Sequence, residues 1–414
     1  MLTPAQNDRA IGAMLGMAVG DALGAGYEFG PALPSTTPVE MIGGGPFNWA
    51  PGEWTDDTSM AYPLLEELAA GGDLRDESSM DRVVARWSGW EATSKDVGNQ
   101  IRAVFGRAGA DPTAAALRDA AAAFTAGNPR AAGNGSLMRT TPIAIGYVHD
   151  YRAMGEATRA IAALTHPDED AVEACVLWNR LIVQAILTGE LTVALHEFSG
   201  ARREVWTARL AEAEAKMPID FPNNGWVVHA LQAAWSAITH TDNFVDAVKL
   251  IIRAGGDTDT VAAIAGGLLG ARYGARAIPT EWRDTISGWP GVSADDLAAK
   301  ALAAAANSTP VESPIDPADP PQVCPICGKA VRYSQRYPDY VCRECSTVVT
   351  TLDGRPVEMY NLAFSGGFGM RDAETGEELA RAASRVLVRG VECIADEAHM
   401  GGTVIRPAVG LRRD

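Results

Sequence analysis

Two short acidic segments, Thr55-Asp56-Asp57-Thr58 and Asp257-Thr258-Asp259-Thr260, lie about two hundred residues apart, and each opens an apolar, helix-like stretch. Carboxylates and hydroxyls gathered from distant segments are the ligands that Mg²⁺ or Mn²⁺ takes, with no need for His or Cys. The plainer alternative is helix capping, because Ser, Thr and Asp are favoured N-caps. One oxygen usually suffices for a cap, whereas each segment carries two carboxylates, so a metal site built from both is expected. A second donor set is soft. Cys324, Cys327, Cys342 and Cys345 form two Cys-x-x-Cys knuckles with 14 residues between them. That is zinc-ribbon spacing, and four thiolates complete the shell of one structural Zn²⁺. Redox dithiols or disulfides are the alternative, disfavoured in an intracellular protein. Cys175 and Cys393 fall outside the spacing and read as buried thiols.

Other groups able to do chemistry are scattered between these sets. Leu15 to Gly30, LGMAVGDALGAGYEFG, mixes small residues with Asp21 and Glu28. The small residues permit close helix packing. Asp21 reads as a hydrogen-bonded structural carboxylate, whereas Glu28, after a glycine-punctuated turn, is placed to ligate metal or move a proton. Asp96 precedes a Val-Gly-Asn turn and, taken alone, is an N-cap. Gly133 to Arg139, GNGSLMR, has the glycines, amide and guanidinium expected around a phosphate or sugar, or else makes a plain tight turn. His166, in THPDEDA, has capping or packing as its default role.

These groups require rigid elements to hold them. The chain has 414 residues, 47% of them apolar, enough for one large domain and a smaller module. Residues 1–306 read as almost wholly helical, with Ala-rich stretches at Asp111–Ala126, Met154–Leu164 and Ala171–Leu187, and with turns at Gly43-Gly44-Gly45-Pro46, Gly133-Asn134-Gly135 and Gly255-Gly256. Residues 307–321, NSTPVESPIDPADPP, hold five prolines and read as an extended linker. Residues 322–414 read as a mixed module, with strands at Lys329–Tyr333, Thr347–Leu352 and Val357–Ala363 and a helix over Ala373–Cys393. No run approaches the roughly 18 apolar residues that span a bilayer, and no leader pattern is seen, so a cytoplasmic protein without membrane contact is expected.

Net charge is −17 and disfavours nonspecific attachment to nucleic acid. The last 93 residues carry 12 basic and 12 acidic side chains, and Arg332, Tyr333, Arg336, Tyr337, Tyr340 and Arg343 interleave around the knuckles. Any nucleic-acid contact is therefore assigned to that module alone.

In their order along the chain, GDALGAGYEF, EWTDDTSMA, KDVGN, GNGSLMR, THPDEDA and GGDTDTVAAIAGGLLGARYG resemble the ADP-ribosylglycohydrolases related to dinitrogenase reductase-activating glycohydrolase, over roughly Ile11 to Gly274. The resemblance implies an all-α fold around a binuclear Mg²⁺ or Mn²⁺ centre ligated by Thr55, Asp56, Asp57, Asp257, Asp259 and Thr260. It also implies cleavage of the glycosidic bond between ADP-ribose and a modified group. Glu28 and Asp96 are then the acid/base pair, with Asp96 on the leaving group and Glu28 positioning metal and water. Gly98, Asn99, Gly133, Asn134, Gly135, Ser136, Met138, Arg139, His166 and Gly256 become the substrate contacts. Ser136-Leu137 stand where relatives commonly carry smaller residues, so the diphosphate side is expected to be shaped differently.

The motifs grip the portion common to ADP-ribosylated arginine, serine, nucleic-acid ends and small molecules, and leave the target open. The zinc module is expected to shape target choice. A catalytically silent ADP-ribose binder, or a nucleic-acid-binding regulator working through the ribbon, are the competing readings.

Overall fold

A computed structural model describes residues 2–308, except 129, 194, 196, 197 and 199, and residues 322–408, except 332, 333, 335, 364, 365, 380–383 and 398–402. Two compact units divide the chain, Met1–Pro310 and Val311–Asp414. In the first, helices follow one another as α1 (Pro4–Gly24), α2 (Asp56–Ala69), α3 (Glu77–Glu91), α4 (Asn99–Ala108), α5 (Ala114–Ala126), α6 (Thr141–Gly146), α7 (Tyr151–Ala163), α8 (Glu169–Thr188), α9 (Gly200–Ala215), α10 (Val227–Thr239), α11 (Phe244–Ala254), α12 (Thr258–Tyr273), α13 (Thr280–Thr285) and α14 (Ala294–Asn307). One tiny ribbon, β1 (Ser287–Gly288) with β2 (Val292–Ser293), is the only paired strand element among the described residues of this unit.

The local chemistry sets these boundaries. A reciprocal Thr3–Gln6 capping box with Pro4 behind it starts α1. Thr113 caps α5 through the Ala116 amide, so the helix begins at Ala114 and not at Asp111, which precedes Pro112 and adopts a left-handed φ of 51°. Asp168 caps α8 and left-handed Gly189 ends it. Asn307 closes α14 and donates to the carbonyls of Leu68 and Ala69 at 3.1 and 2.9 Å, so the expected linker start is helical and tied to α2. Beyond Ser308, that linker lies outside the described residues.

Central to the unit is the pairing of α1 with α12. Gly12, Gly16 and Gly20 recur at four-residue spacing, and a Cβ on any of them would fall 2.1–2.3 Å from the backbone oxygen of Gly270, Gly266 or Ala262. Backbone meets backbone along this seam, which brings the α12 N-terminus against Gly24. The residues from Pro4 to Tyr27, and α8, are long and apolar enough to cross a bilayer, contrary to the expectation that no run approaches that length. Yet 83% and 67% of their apolar windows are buried inside the unit, as core helices are.

The second unit holds β3 (Gln322–Val323), β4 (Ala330–Val331), α15 (Arg343–Ser346), β5 (Val349–Thr350), β6 (Val357–Ala363), β7 (Gly366–Asp372), β8 (Arg385–Val388), β9 (Val391–Glu397) and β10 (Thr403–Pro407). An antiparallel sheet runs β10-β9-β8-β5, beside the hairpins β3-β4 and β6-β7. The helix expected over Ala373–Cys393 is replaced by β8 and the start of β9. Arg389 and Gly390, with φ of 51° and 81°, make the two-residue turn of a hairpin in which Val388 pairs with Val391. Along β8, burial alternates as a strand requires, with Val386 and Val388 fully buried. Of the six basic and aromatic residues expected around the knuckles, Arg332 and Tyr333 lie outside the described residues.

Candidate active site

The two acidic segments meet because their helices are built to present them. Thr55 is the N-cap position of α2 and Asp257 that of α12, yet neither makes a side-chain capping bond. Capping of α2 falls to Asp21, whose two carboxylate oxygens accept the amides of Thr55 and Thr58 at 2.8 and 2.9 Å. The α2 side chains stay available. Thr55 Oγ1 donates to Asp57 Oδ2 at 3.0 Å, and Thr260 Oγ1 approaches the same oxygen at 3.4 Å from α12.

Glu28 arrives by a separate route. The Phe29 amide donates to the Gly256 carbonyl at 2.7 Å and the Gly256 amide to Gly30 at 3.0 Å, clamping the chain after Glu28 onto the turn before Asp257. That turn needs glycine at 256, where φ is +77° and a Cβ would sit 2.5 Å from Asn224 Oδ1.

Carboxylate oxygens of Asp21, Asp57 and Asp259 lie within 4.8 Å of one another, as do those of Glu28, Asp257 and Asp259, so Asp259 belongs to both groups. No described salt bridge reaches any of them, and Glu28 Oε2 and Asp57 Oδ1 are buried without a partner. Burial and mutual repulsion push Asp56, Asp57 and Asp259 well above the carboxylate range. Burial, then the charges of Asp257, Asp96 and Asp56, raises Glu28 to about 9. Asp96 rises to about 6 through burial and Asp257, with Arg102 opposing. Packed anionic oxygens with unpaired lone pairs and no ion-paired cation are the donor set that fits divalent metal.

Glu28, Asp56, Asp257 and Thr260 open onto a cavity of about 520 Å³ that Asp96, Gly98, Asn99, Gly133, Asn134, Gly135, Met138 and His166 also line. Thr55, Asp57 and Asp259 lie deeper. Asp96 does not cap α4, whose N-cap is Gly98, and His166 does not cap α8. Asn134 Nδ2 donates to Asp257 Oδ2 at 2.8 Å.

Three expected substrate contacts are placed elsewhere. Gly256 shapes the turn behind Asp257. Ser136 is buried, with Cys175 Sγ donating to its Oγ at 3.5 Å. Arg139 is fully buried under the Trp87 ring, 4.3 Å from its centre, and donates to Thr165 Oγ1, so its guanidinium faces the core and not the cavity.

Residues not singled out from the sequence also line it, among them Phe29, Phe47, Gln100, Arg102 and Arg130, with Gly225. An adjoining cavity of about 540 Å³ shares Arg130, Gly133 and Gly225 and adds Asp170 and Trp226. Gln100 and Arg102 follow Asn99 in the first turn of α4, a spacing that marks them as neighbours of the Gly98 turn. Phe47 and Trp226 are lone aromatics after glycine-bearing loops, with no comparable signal.

In the second unit, the thiols of Cys324, Cys327, Cys342 and Cys345 also lie within 4.8 Å of one another. Cys327 and Cys342 sulfurs are 3.7 Å apart, close to the ~3.8 Å edge of a tetrahedron with metal–sulfur bonds of about 2.3 Å. Burial raises the Cys324 thiol, but the amides of Cys342, Cys327 and Ile326 outweigh it and bring it to about 7, toward the thiolate a metal needs.

Residues 2–311 match the family model described as ADP-ribosylglycohydrolase. An ADP-ribosylarginine hydrolase, Tri1, from Pseudomonas putida is 34% identical over 69% of this chain and 76% of its own. The ADP-ribosyl-[dinitrogen reductase] glycohydrolase of Rhodospirillum rubrum is 33% identical over 68% and 91%. A solved ADP-ribosylglycohydrolase-related protein complex superposes with a TM-score of 0.55 at 29% identity, covering 74% of this chain and all of its own. The chain belongs to the ADP-ribosylglycohydrolase family. It is an enzyme of that class, a hydrolase that reverses ADP-ribosylation.

Proposed function

We propose that the enzyme releases ADP-ribose from ADP-ribosylated arginine side chains, with two Mg²⁺ or Mn²⁺ ions held by Thr55, Asp56, Asp57, Asp257, Asp259 and Thr260. The observation that carries the reading is the convergence of Glu28, Asp56, Asp96, Asp257 and the Gly133-Asn134-Gly135 turn on one cavity. Arginine is favoured among the possible targets because the Pseudomonas relative, and one from Serratia proteamaculans at 32% identity, are named ADP-ribosylarginine hydrolases.

Bound among these carboxylates, the cations would supply positive charge for the ribose hydroxyls and lower the pKa of a water. The chain's own groups do the rest. Water oxygen adds to the anomeric carbon as its bond to the guanidine nitrogen breaks, through an oxocarbenium-like state. Asp96, raised to about 6, holds a proton for the departing nitrogen. Glu28, with Oε2 unpartnered, orients the water and would take its proton as a carboxylate once cations offset the neighbouring charges that help raise it to about 9. Gly98 and Asn99, at the N-terminus of α4, offer amides for phosphate oxygens, and Arg102 and Arg130 add positive charge at the lining.

The four converging thiols support one structural Zn²⁺ in the second unit. The same proposal gives that unit a part in target choice and gives the enzyme a reducing, cytoplasmic setting, in which Cys175 and Cys393 stay buried thiols outside the zinc set.

The test measures free ADP-ribose released from ADP-ribosyl-arginine and ADP-ribosyl-serine peptides, with Mg²⁺, Mn²⁺ or chelator, alongside the Asp56→Ala, Asp257→Ala double variant. Metal-dependent release from arginine that the variant loses is expected. Release from serine alone would overturn the target, and release untouched by chelator would overturn the metal. Truncation at Asn307 with unchanged rates on every substrate would remove the second unit from target choice.

A further inference from the structure

Arg139 and Thr165 take no part in the cavity lining, and their arrangement behind His166 has a chemical direction. Arg139 Nη2 donates to Thr165 Oγ1 at 2.7 Å. Thr165 Oγ1 lies 2.8 Å from His166 Nδ1. Arg139 and Thr165 are fully buried and His166 is 2% exposed, so no bulk water competes for these bonds.

A guanidinium has only protons to give, so Thr165 Oγ1 is the acceptor in the first contact. Its own proton then needs an acceptor, because a buried hydroxyl proton without one keeps its full desolvation penalty. Among the described residues, the only hydrogen-bond partner of Oγ1 besides Arg139 is His166 Nδ1. Were Nδ1 protonated, the hydroxyl would face two donors and its proton would be stranded. The network is satisfied only when Thr165 donates to an unprotonated Nδ1, which leaves the imidazole proton on Nε2.

That nitrogen faces the cavity. A Cβ on Gly133 would lie 3.4 Å from Nε2 and one on Gly135 3.2 Å from it, so the two glycines frame the Nε2 edge with backbone alone. The ring backbone is held as well: the His166 amide donates to Ala162 O at 2.8 Å, and Gln100 Nε2 donates to Thr165 O at 2.8 Å. Burial and the neighbouring Arg139 charge hold the imidazole neutral, with its pKa lowered to about 3.

The geometry points to Arg139 and Thr165 as positioning residues that fix His166 as the neutral Nε2–H tautomer, a permanent hydrogen-bond donor to an oxygen of the bound ADP-ribose. This rests on the reading of the cavity as an ADP-ribose site. Neutrality matters because an imidazolium would carry two donors and break the bond to Thr165, whereas the opposite tautomer would aim a lone pair at the ligand oxygen.

The experiment uses full-length protein with ¹⁵N-labelled histidine, assigned with His166→Gln, and reads the tautomer from the imidazole nitrogen shifts before and after ADP-ribose. Thr165→Val removes the hydroxyl and Thr165→Ser restores it. Calorimetric titration with ADP-ribose gives the affinities. Expected are a neutral Nε2–H ring in the ligand-free wild type, a mixed tautomer in Thr165→Val with affinity about tenfold weaker, and both properties restored in Thr165→Ser. A protonated Nδ1 in the wild type, or a Thr165→Val protein with unchanged tautomer and affinity, would overturn the proposal. The ligand-free tautomer is read without substrate, so failure of the ADP-ribose reading shows separately, as absent binding to a protein whose tautomer is as stated.

Discussion

Asn134 Nδ2 donates to Asp257 Oδ2 at 2.8 Å, and Asn134 also donates to Asn224 O at 2.9 Å. The Gly133-Asn134-Gly135 turn and the carboxylate cluster are thereby one hydrogen-bonded body. Asn134→Ala should lower metal affinity and turnover by about 10–100-fold, the usual effect of removing a group that orients a ligand. Metal titration of activity reads it.

The carboxylate pKa values predict an inverted pH dependence for the metal-free protein. A carboxyl raised on folding contributes stability below its unfolded pKa, and that stability is lost as pH climbs through the folded value. Asp21 and Asp96 lie at about 6 and Glu28 at about 9. In chelator, the melting temperature should fall from about pH 5 to about pH 9, and Mg²⁺ or Mn²⁺ should flatten the decline. A flat profile in chelator would contradict the cluster's repulsion.

Removing one charge should separate stability from activity. Asp57, fully buried with Oδ1 unpartnered, is crowded by Asp21, Asp56 and Asp257. Asp57→Asn should stabilise the chelated protein by about 1 kcal/mol or more. It should cost more than about 100-fold in turnover, since a direct ligand outweighs its supports. Calorimetry and initial rates measure the two effects on one sample.

The α1–α12 seam makes a sharper demand. A Cβ on Gly20 would lie 2.1 Å from the Ala262 oxygen, and backbone there cannot step aside as a side chain would. Gly20→Ala gains about 0.5–1 kcal/mol of helix propensity and loses at least the roughly 1–3 kcal/mol of an overpacked core. Denaturant unfolding should show net destabilisation, and metal affinity should fall because Asp259 rides on the displaced turn.

The second unit should bind about one zinc per chain, retained on gel filtration and lost with Cys345→Ser. Elemental analysis decides it.

Much of the site could be read from residue types because metal and proton chemistry permit few of them. Carboxylates in excess of capping marked Asp56, Asp57, Asp257 and Asp259, and a glutamate beyond a glycine turn marked Glu28. What could not be read was the direction of a side chain. Arg139, in a loop with phosphate-binding composition, turns inward under Trp87, because a helix-like face and a cavity face differ by one rotation that the sequence does not specify. Phe47 and Trp226 reach the cavities from segments with no chemical pattern of their own. In the second unit, the segment Ala373–Cys393 reads as a helix, while the decisive local signal is the Arg389-Gly390 turn, whose left-handed backbone closes a hairpin.

Because α1 pairs with α12, a helix made early in this unit waits for one made late. Its glycine face cannot be covered by this partner until α12 has been made, and only then can Asp21, Asp57 and Asp259 come together. Until then the charge cluster is dispersed along the nascent chain, and the repulsion within the site arises only with the docking of segments more than 200 residues apart.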